Sequence, residues 1–338
     1  MKILENYSLK SLNTFGINVS SKYFLEARSV KEFQTFLKKE ELKEIPKLII
    51  GGGSNILFTK DFDGLVIKNN IKGIEIIRED AQYVYVKSGA GEVWHNFVLF
   101  CIEHNFAGVE NLSLIPGSVG AGPMQNIGAY GIELKEVFYE LEALHIKSGK
   151  LKVFDKSACK FGYRSSIFKS EVKNEFIIVS VTFKLNKKPD FNTSYGAIET
   201  ELKAMNVSEI SIKAISDAVC NIRRSKLPDP AVIGNAGSFF KNPEVEESTY
   251  AKLKEKYPNL IGYPTQKGTI KLAAGWLIEQ CGWKGKQIEN YGVHKNQALV
   301  LVNYGGAEGK NIFALSKQIQ ASVKDTFGVE LEIEVNII

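Results

Sequence analysis

Two stretches of this chain combine glycine with hydroxyl and amide side chains densely enough to carry chemistry. The first is Gly51-Gly52-Gly53-Ser54-Asn55, directly after the stretch 45–50, which ends in Leu48-Ile49-Ile50. The second is Pro116-Gly117-Ser118-Val119-Gly120-Ala121-Gly122, continuing into Gln125-Asn126-Ile127-Gly128-Ala129-Tyr130-Gly131. Glycine lets the backbone approach a ligand closely and lets successive N–H groups converge, which makes a nest for phosphate oxygens. The amides of Gln125 and Asn126 can hydrogen-bond a heterocycle. Two such loops suit one ligand with a pyrophosphate and a ring system. Neither loop fits GxxxxGK[ST] or GxGxxG, so a Walker or Rossmann site is disfavoured. Simple tight turns would explain one glycine triplet; two polar loops favour a ligand.

Three further residues have suitable chemistry. Arg164 carries a permanent charge that matches a planar carboxylate or enolate. Ser238 lies in a small turn among Gly237, Phe239 and Phe240. Glu334 lies on the polar face of an alternating segment and could donate a proton or hydrogen bond if a pocket raised its pKa. Each has an ordinary reading alone: a surface ion pair, a turn residue and a solvated strand-face charge. The four histidines have no metal-ligand spacing, so no protein-held catalytic metal is expected.

Elements must hold these residues in place. Ser29 and Glu32 form a capping-box pattern that predicts a helix over 30–43. The run 45–50 reads as a buried strand, followed by strand signals at 64–68, 74–77 and 83–87. A helix is expected over 94–104, with strands at 140–146 and 175–185. The polar stretch 187–195 reads as a linker or flexible loop. Ile215, Val219 and Ile222 share one helical face. The main domain boundary is expected in this neighbourhood, before Leu227-Pro228-Asp229-Pro230. A helix over 270–281, a strand over 297–303 and a long helix capped by Gly328 come next. The segment 329–337 alternates apolar and polar residues, as a half-buried strand does.

Composition sets limits on the function. With 338 residues, 44% of them apolar and 24% charged, the chain is long enough for two or three globular domains. A net charge of +5, dispersed through 43 basic and 38 acidic residues, suits an anionic small molecule better than nucleic acid. The four separated cysteines form no CxxC pair and read as reduced thiols of a cytoplasmic protein. No signal-peptide pattern and no membrane-length apolar run is present, so no membrane partner is expected. The absence of a heptad or apolar stripe favours a monomer.

At GGGSN (51–55), IPGSVGAGPMQNIGAYG (115–131), YRSSIFK (163–169), KLPDP (226–230), GNAGSFFKNP (234–243) and LAAGWLIEQCG (272–282), the chain resembles the UDP-N-acetylenolpyruvoylglucosamine reductases. The resemblance covers nearly the whole length. It implies an α+β fold: a two-lobed FAD-binding domain of the vanillyl-alcohol-oxidase (PCMH) type, then a family-specific α+β substrate-binding domain. The implied division is 1–70 and 71–218 for the FAD lobes, 219–327 for the substrate domain and 328–338 for the strand carrying Glu334. Both glycine loops would then hold FAD. The Thr193-Ser194-Tyr195-Gly196 stretch resembles the longer-loop subgroup, whose tyrosine closes over the sugar nucleotide.

The implied reaction is reduction of UDP-N-acetylglucosamine enolpyruvate to UDP-N-acetylmuramate, with NADPH as hydride donor, in peptidoglycan synthesis. Hydride addition to the enolpyruvyl methylene carbon leaves charge on the carboxylate as an enolate, which needs stabilisation and a proton. The resemblance assigns the proton to Ser238 and enolate stabilisation to Arg164 and Glu334. Tyr195, Lys226, Asn242, Tyr263 and Gln297 match positions that bind the sugar nucleotide. The sequence departs from the family in its final stretch, LEIEVNII, where a proline usually precedes the second glutamate and an arginine follows the valine.

Overall fold

The computed structural model describes residues 2–265 and 267–338, which form two compact units. The first contains residues 2–7, 21–52 and 63–225; the second contains 8–20, 53–62, 226–265 and 267–338. The chain therefore visits the second unit three times.

Two sheets and their covering helices build the first unit. One sheet has the order Leu4–Ser8, Ser20–Ala27, Phe62–Asn69, Lys47–Ile50, and its last pair is parallel with Ile49 opposite Ile67. The other has five antiparallel strands in the order Leu151–Asp155, Phe138–His145, Phe176–Asn186, Tyr83–Gly89, Ile74–Glu79. Strand Phe176–Asn186 lies at its centre, and residues 177–183 are all buried. Burial on both faces explains its continuous apolar sequence. Phe33 and Phe36 of helix Val30–Leu37 pack with Leu65 and Ile67 of the first sheet and with Leu144, Ile177 and Val179 of the second. Trp94 and Phe97 of helix Trp94–Glu103 pack with Phe183.

The helix expected over 30–43 ends at Leu37, and a separate 3-10 turn covers Glu40–Leu42. Ser29 does accept the Glu32 N–H, but Glu32 bonds back to the N–H of Arg28 instead of the cap residue, so the box is displaced by one position. Helix Ile212–Lys226 runs without interruption across 218/219. Its Ile215, Val219 and Ile222 pack with Ile198 and Leu202 of helix Gly196–Ala204, which keeps it in the first unit.

In the second unit a four-stranded sheet has the order Gly234–Ser238, Val300–Asn303, Tyr291–Val293, Gln287–Ile288. A smaller sheet joins Glu244–Glu246, Thr269–Leu272 and Gly262–Pro264. The region 270–281 is thus divided. Thr269–Leu272 is a strand with alternating burial, and only Ala274–Gln280 is helical. The strand expected at 297–303 begins at Val300, because Gln297 accepts the Val300 N–H in a turn. Helix Gly309–Phe327 buries Ile312, Leu315, Ile319, Val323 and Phe327, and stops at Gly328 with φ +69°, as the sequence predicts.

Segment 329–337 is extended, with Val329, Leu331 and Val335 buried, but it is not one strand of one sheet. It first runs antiparallel to 239–241, where the Glu334 N–H donates to Phe239 (2.8 Å) and the Lys241 N–H to Glu332 (2.9 Å). It then runs parallel to 55–59, with Asn336 opposite Ile56 and Ile337 opposite Leu57. The buried alternation survives while the pairing partner changes.

Candidate active site

In the first unit the two glycine loops meet backbone to backbone. A Cβ on Gly52 would stand 3.0 Å from the Gly117 Cα, and one on Gly51 would overlap the Ser118 Oγ at 2.0 Å. Gly120 is packed equally tightly on Ala90, where an added Cβ would meet the alanine methyl at 2.5 Å. The Gly120 N–H donates to the Ala90 carbonyl (2.9 Å) and the Val119 N–H to Glu92 (2.8 Å), so the second loop is pinned to the end of strand Tyr83–Gly89. Pro116 and Ala121 lie exposed beside this anchored stretch. The glycines are therefore needed for loop-on-loop contact. Among the described residues the N–H groups of Gly52, Gly117 and Ser118 donate no hydrogen bond. Unspent backbone donors on two loops held against each other fit the pyrophosphate of a dinucleotide.

The polar members of the second loop divide into two kinds. Asn126 is buried and its side chain is fully used: it donates to the Glu133 carboxylate (3.0 Å) and Gly162 carbonyl (3.1 Å), and accepts from the Lys135 N–H (3.0 Å). It holds the loop together. Gln125 is half-buried and accepts from Lys169 at 3.2 Å. Gly128–Ala129 pairs with Ile132–Glu133 in a short hairpin whose turn is Tyr130 and Gly131, both left-handed at φ +49° and +85°.

Arg164 stands at the tip of another tight turn. Gly162 and Ser165 exchange backbone hydrogen bonds (3.0 and 3.3 Å), leaving Tyr163 and Arg164 between them. Arg164 has φ +51°, a conformation that costs an ordinary residue energy and that clusters at functional sites. Its guanidinium donates to the Gly128 carbonyl (2.8 Å) and lies 5.6 Å from the Tyr163 ring, which ties it to the second glycine loop.

Tyr195, half exposed, immediately precedes helix Gly196–Ala204 and packs edge-on against Tyr130, with ring centroids 5.4 Å apart. Arg223, unremarked in the sequence, lies against the Tyr130 hydroxyl and donates to the Leu114 carbonyl at 3.2 Å. Burial pulls its pKa below the arginine range, and the nearby Arg164 charge adds to this. Burial pushes the Tyr130 phenol up. Among the described residues no carboxylate pairs with Arg223. An arginine in a sequence rich in lysine and arginine gave no signal of this.

In the second unit Ser238 ends strand Gly234–Ser238 opposite Val300. It is half-buried, and among the described residues its hydroxyl makes no hydrogen bond. Gly237, with φ +69°, donates its N–H to Asn235 and turns the chain just before it. Glu334 is brought to the same strand end by its N–H bond to Phe239, while its carbonyl accepts from the Asn55 amide (3.3 Å). The Asn55 carbonyl in turn accepts both the N–H and side-chain amide of Asn336 (3.0 and 2.9 Å). Asn336 thus clasps Asn55. Gly53 fits against the Leu12 carbonyl, where a Cβ would lie at 1.9 Å, and its own carbonyl accepts from Thr14. Ser54 comes next to it, half-buried.

Asn242 and Gln297 come together at the start of helix Ala274–Gln280. Asn242 accepts the Ala274 N–H (3.0 Å), and the Gln297 Oε1 lies 3.1 Å from where a Gly275 Cβ would be. Tyr263 is exposed opposite Lys271, and Lys226 is exposed at its helix end. His294, another residue the sequence left unmarked, is buried on the far side of Val300 from Ser238, with its Nδ1 unpartnered. Burial and Lys295 pull its pKa down.

Residues 21–155 match the model of an FAD binding domain, and 229–338 match that of the UDP-N-acetylenolpyruvoylglucosamine reductase C-terminal domain. The reductase of that name from Amoebophilus asiaticus is 55% identical, and that from Flavobacterium johnsoniae 53%, each over 100% of both chains. That from Pseudomonas fluorescens is 47% identical over 100% of this chain and 99% of its own. The crystal structure of the Thermus caldophilus reductase superposes with a TM-score of 0.66 at 21% identity, covering 99% of this chain and 98% of that one, which establishes the shared fold. With full-length identity at this level, the chain belongs to the UDP-N-acetylenolpyruvoylglucosamine reductase family, the FAD-dependent oxidoreductases of peptidoglycan synthesis.

Proposed function

We propose that this protein reduces UDP-N-acetylglucosamine enolpyruvate to UDP-N-acetylmuramate with NADPH, and that Arg164, Ser238 and Glu334 carry the chemistry. The observation that supports it best is the pair of interlocked glycine loops with unspent N–H groups, together with the strained, tethered Arg164 beside them. Gly51–Asn55 and Pro116–Gly131 would hold FAD, with Gly52, Gly117 and Ser118 on its pyrophosphate. When bound, FAD would supply the hydride chemistry, passing hydride from NADPH to the enolpyruvyl methylene carbon.

The protein's part is electrostatic and acidic. The Arg164 guanidinium is held by the Gly128 carbonyl, so its charge is in place before the carboxylate becomes an enolate. Arg223, half-buried and with no carboxylate partner among the described residues, adds positive potential in the same unit. Ser238 has an uncommitted hydroxyl and gives its proton to the carbon next to the carboxylate. A serine is too weak an acid for most purposes, but an enolate carbon is basic enough to take its proton. Glu334 assists at the enolate. Tyr195, Lys226, Asn242, Tyr263 and Gln297 bind the uridine diphosphate sugar through aromatic surface, charge and amides. The two substrates react in turn. We place the enzyme in the cytoplasm as a monomer; among the described residues no helix is long and apolar enough to cross a membrane.

The deciding experiment is anaerobic. NADPH should bleach the flavin absorbance near 450 nm, and UDP-N-acetylglucosamine enolpyruvate should restore it. Bleaching without recovery would remove the substrate assignment, and a protein that takes up no FAD would remove the whole reading.

A further inference from the structure

Asn111 is buried at 1% exposure in the turn after helix Trp94–Glu103, outside both glycine loops and outside the Tyr195 loop. Its side-chain amide nonetheless binds both the second glycine loop and the Tyr195 loop. One Nδ2 donates to the Tyr130 carbonyl (3.0 Å) and to the Asn192 carbonyl (2.9 Å). Three further contacts close the same circuit. The Asn192 side chain reaches the Gly131 carbonyl (3.5 Å) and accepts from Ser194 (2.9 Å), and the Tyr195 ring packs on the Tyr130 ring. Tyr130 and Gly131 are the two left-handed residues of the hairpin turn, so their carbonyl directions depend on a narrow range of backbone angles. A shift of 192–195 would pull on the turn through Asn111. A shift of the turn would pull on 192–195 in the same way.

We propose that Asn111 is a positioning residue that couples the FAD-holding loop to the loop bearing Tyr195, so that cofactor binding and sugar-nucleotide binding strengthen each other. The proposal rests on the roles given above to the two loops. Coupling of this kind is reciprocal: whatever factor the nucleotide sugar adds to FAD affinity, FAD must add to nucleotide-sugar affinity. Asn111 touches neither ligand in this scheme. It sets how much of the ordering of one loop is already complete when the second ligand arrives.

The test is a linkage measurement on the full chain, with UDP-N-acetylglucosamine as probe. FAD affinity is read from flavin fluorescence with and without a saturating amount of the probe, whose own binding is measured by calorimetry. The native protein should bind FAD at least about fivefold more tightly with the probe present. Asn111→Asp, which keeps the shape and removes both donors, should bring that ratio close to one. Asn192→Ala, at a half-buried loop position, should lower it partway without touching Asn111. A purely structural asparagine would change stability or absolute affinities and leave the ratio intact. Binding of both ligands with no linkage in the native protein would overturn the proposal, as would an Asn111→Asp protein that keeps the full ratio. If Asn111→Asp does not fold, the native ratio and the Asn192→Ala ratio decide. Failure of the native protein to bind the probe at all would instead remove the substrate reading, and the coupling with it.

Discussion

Arg164 and Ser238 show different ways of preparing a side chain. The arginine is placed by a left-handed turn and a carbonyl tether, the serine by a sheet register and a preceding left-handed glycine. Replacing Ser238 by alanine should leave flavin reduction by NADPH unchanged and slow reoxidation by the enolpyruvyl substrate at least a hundredfold, in line with loss of a general acid. Stopped-flow traces of the two half-reactions separate these, and equal loss in both would remove Ser238 as the donor. Glu110 poses another residue-scale question. Its carboxylate is buried, accepts the Gly108 N–H (2.6 Å), and burial raises its pKa. A carboxyl with a raised folded-state pKa contributes stability that is complete below its unfolded pKa and is lost as pH rises through the folded value. Glu110→Gln keeps the acceptor and removes that loss. Melting curves from pH 5 to 8 should therefore fall less with pH for the variant than for the native protein; parallel curves would count against it.

The glycine loops are elements whose sequence announced a ligand before it announced their packing. Density of glycine, serine and amide was enough to expect a nest, but not that Gly51 and Gly52 exist to let one loop lie on the other. Gly52→Ala should accordingly weaken FAD at least about tenfold, roughly 1.4 kcal/mol, with little change in the far-ultraviolet circular dichroism. Flavin retention on a desalting column is a first check. Long periodic elements were legible: helix Gly309–Phe327 with its Gly328 cap, and strand Phe176–Asn186. Short ones were not. Thr269–Leu272 and Ala274–Gln280 read as a single helix because a four-residue strand gives too little periodicity to set it apart from the adjoining helical turn. Segment 329–337 gave its burial pattern but not its exchange of partners, since alternation reports a face and not a neighbour. Among the residues proposed for the site, those inside contiguous motifs carry a signal in the sequence. Arg223, His294 and Asn111 carry none, because what distinguishes them is which carbonyls and rings surround them.

At the scale of the molecule, the second unit is built from distant stretches. The Asn235 N–H donates to Thr14 (3.0 Å), the Asn303 amide to Phe15 (2.8 Å), and Phe15 packs edge-on against Phe239. Residues 336–338 complete their pairing with 55–59. A fragment comprising 226–338 lacks all these partners and should be unfolded on its own, with no dispersed amide signals in a proton–nitrogen correlation spectrum. A folded fragment would mean that 8–20 and 53–62 are accessories. The bonds between Thr59 and Ile338 span 279 residues. During synthesis Ile338 leaves the ribosome only after all of the chain between them, so residues 53–59 emerge early and wait through most of translation for their neighbours. Gly53, Ser54 and Asn55 of the first glycine loop belong to that waiting segment.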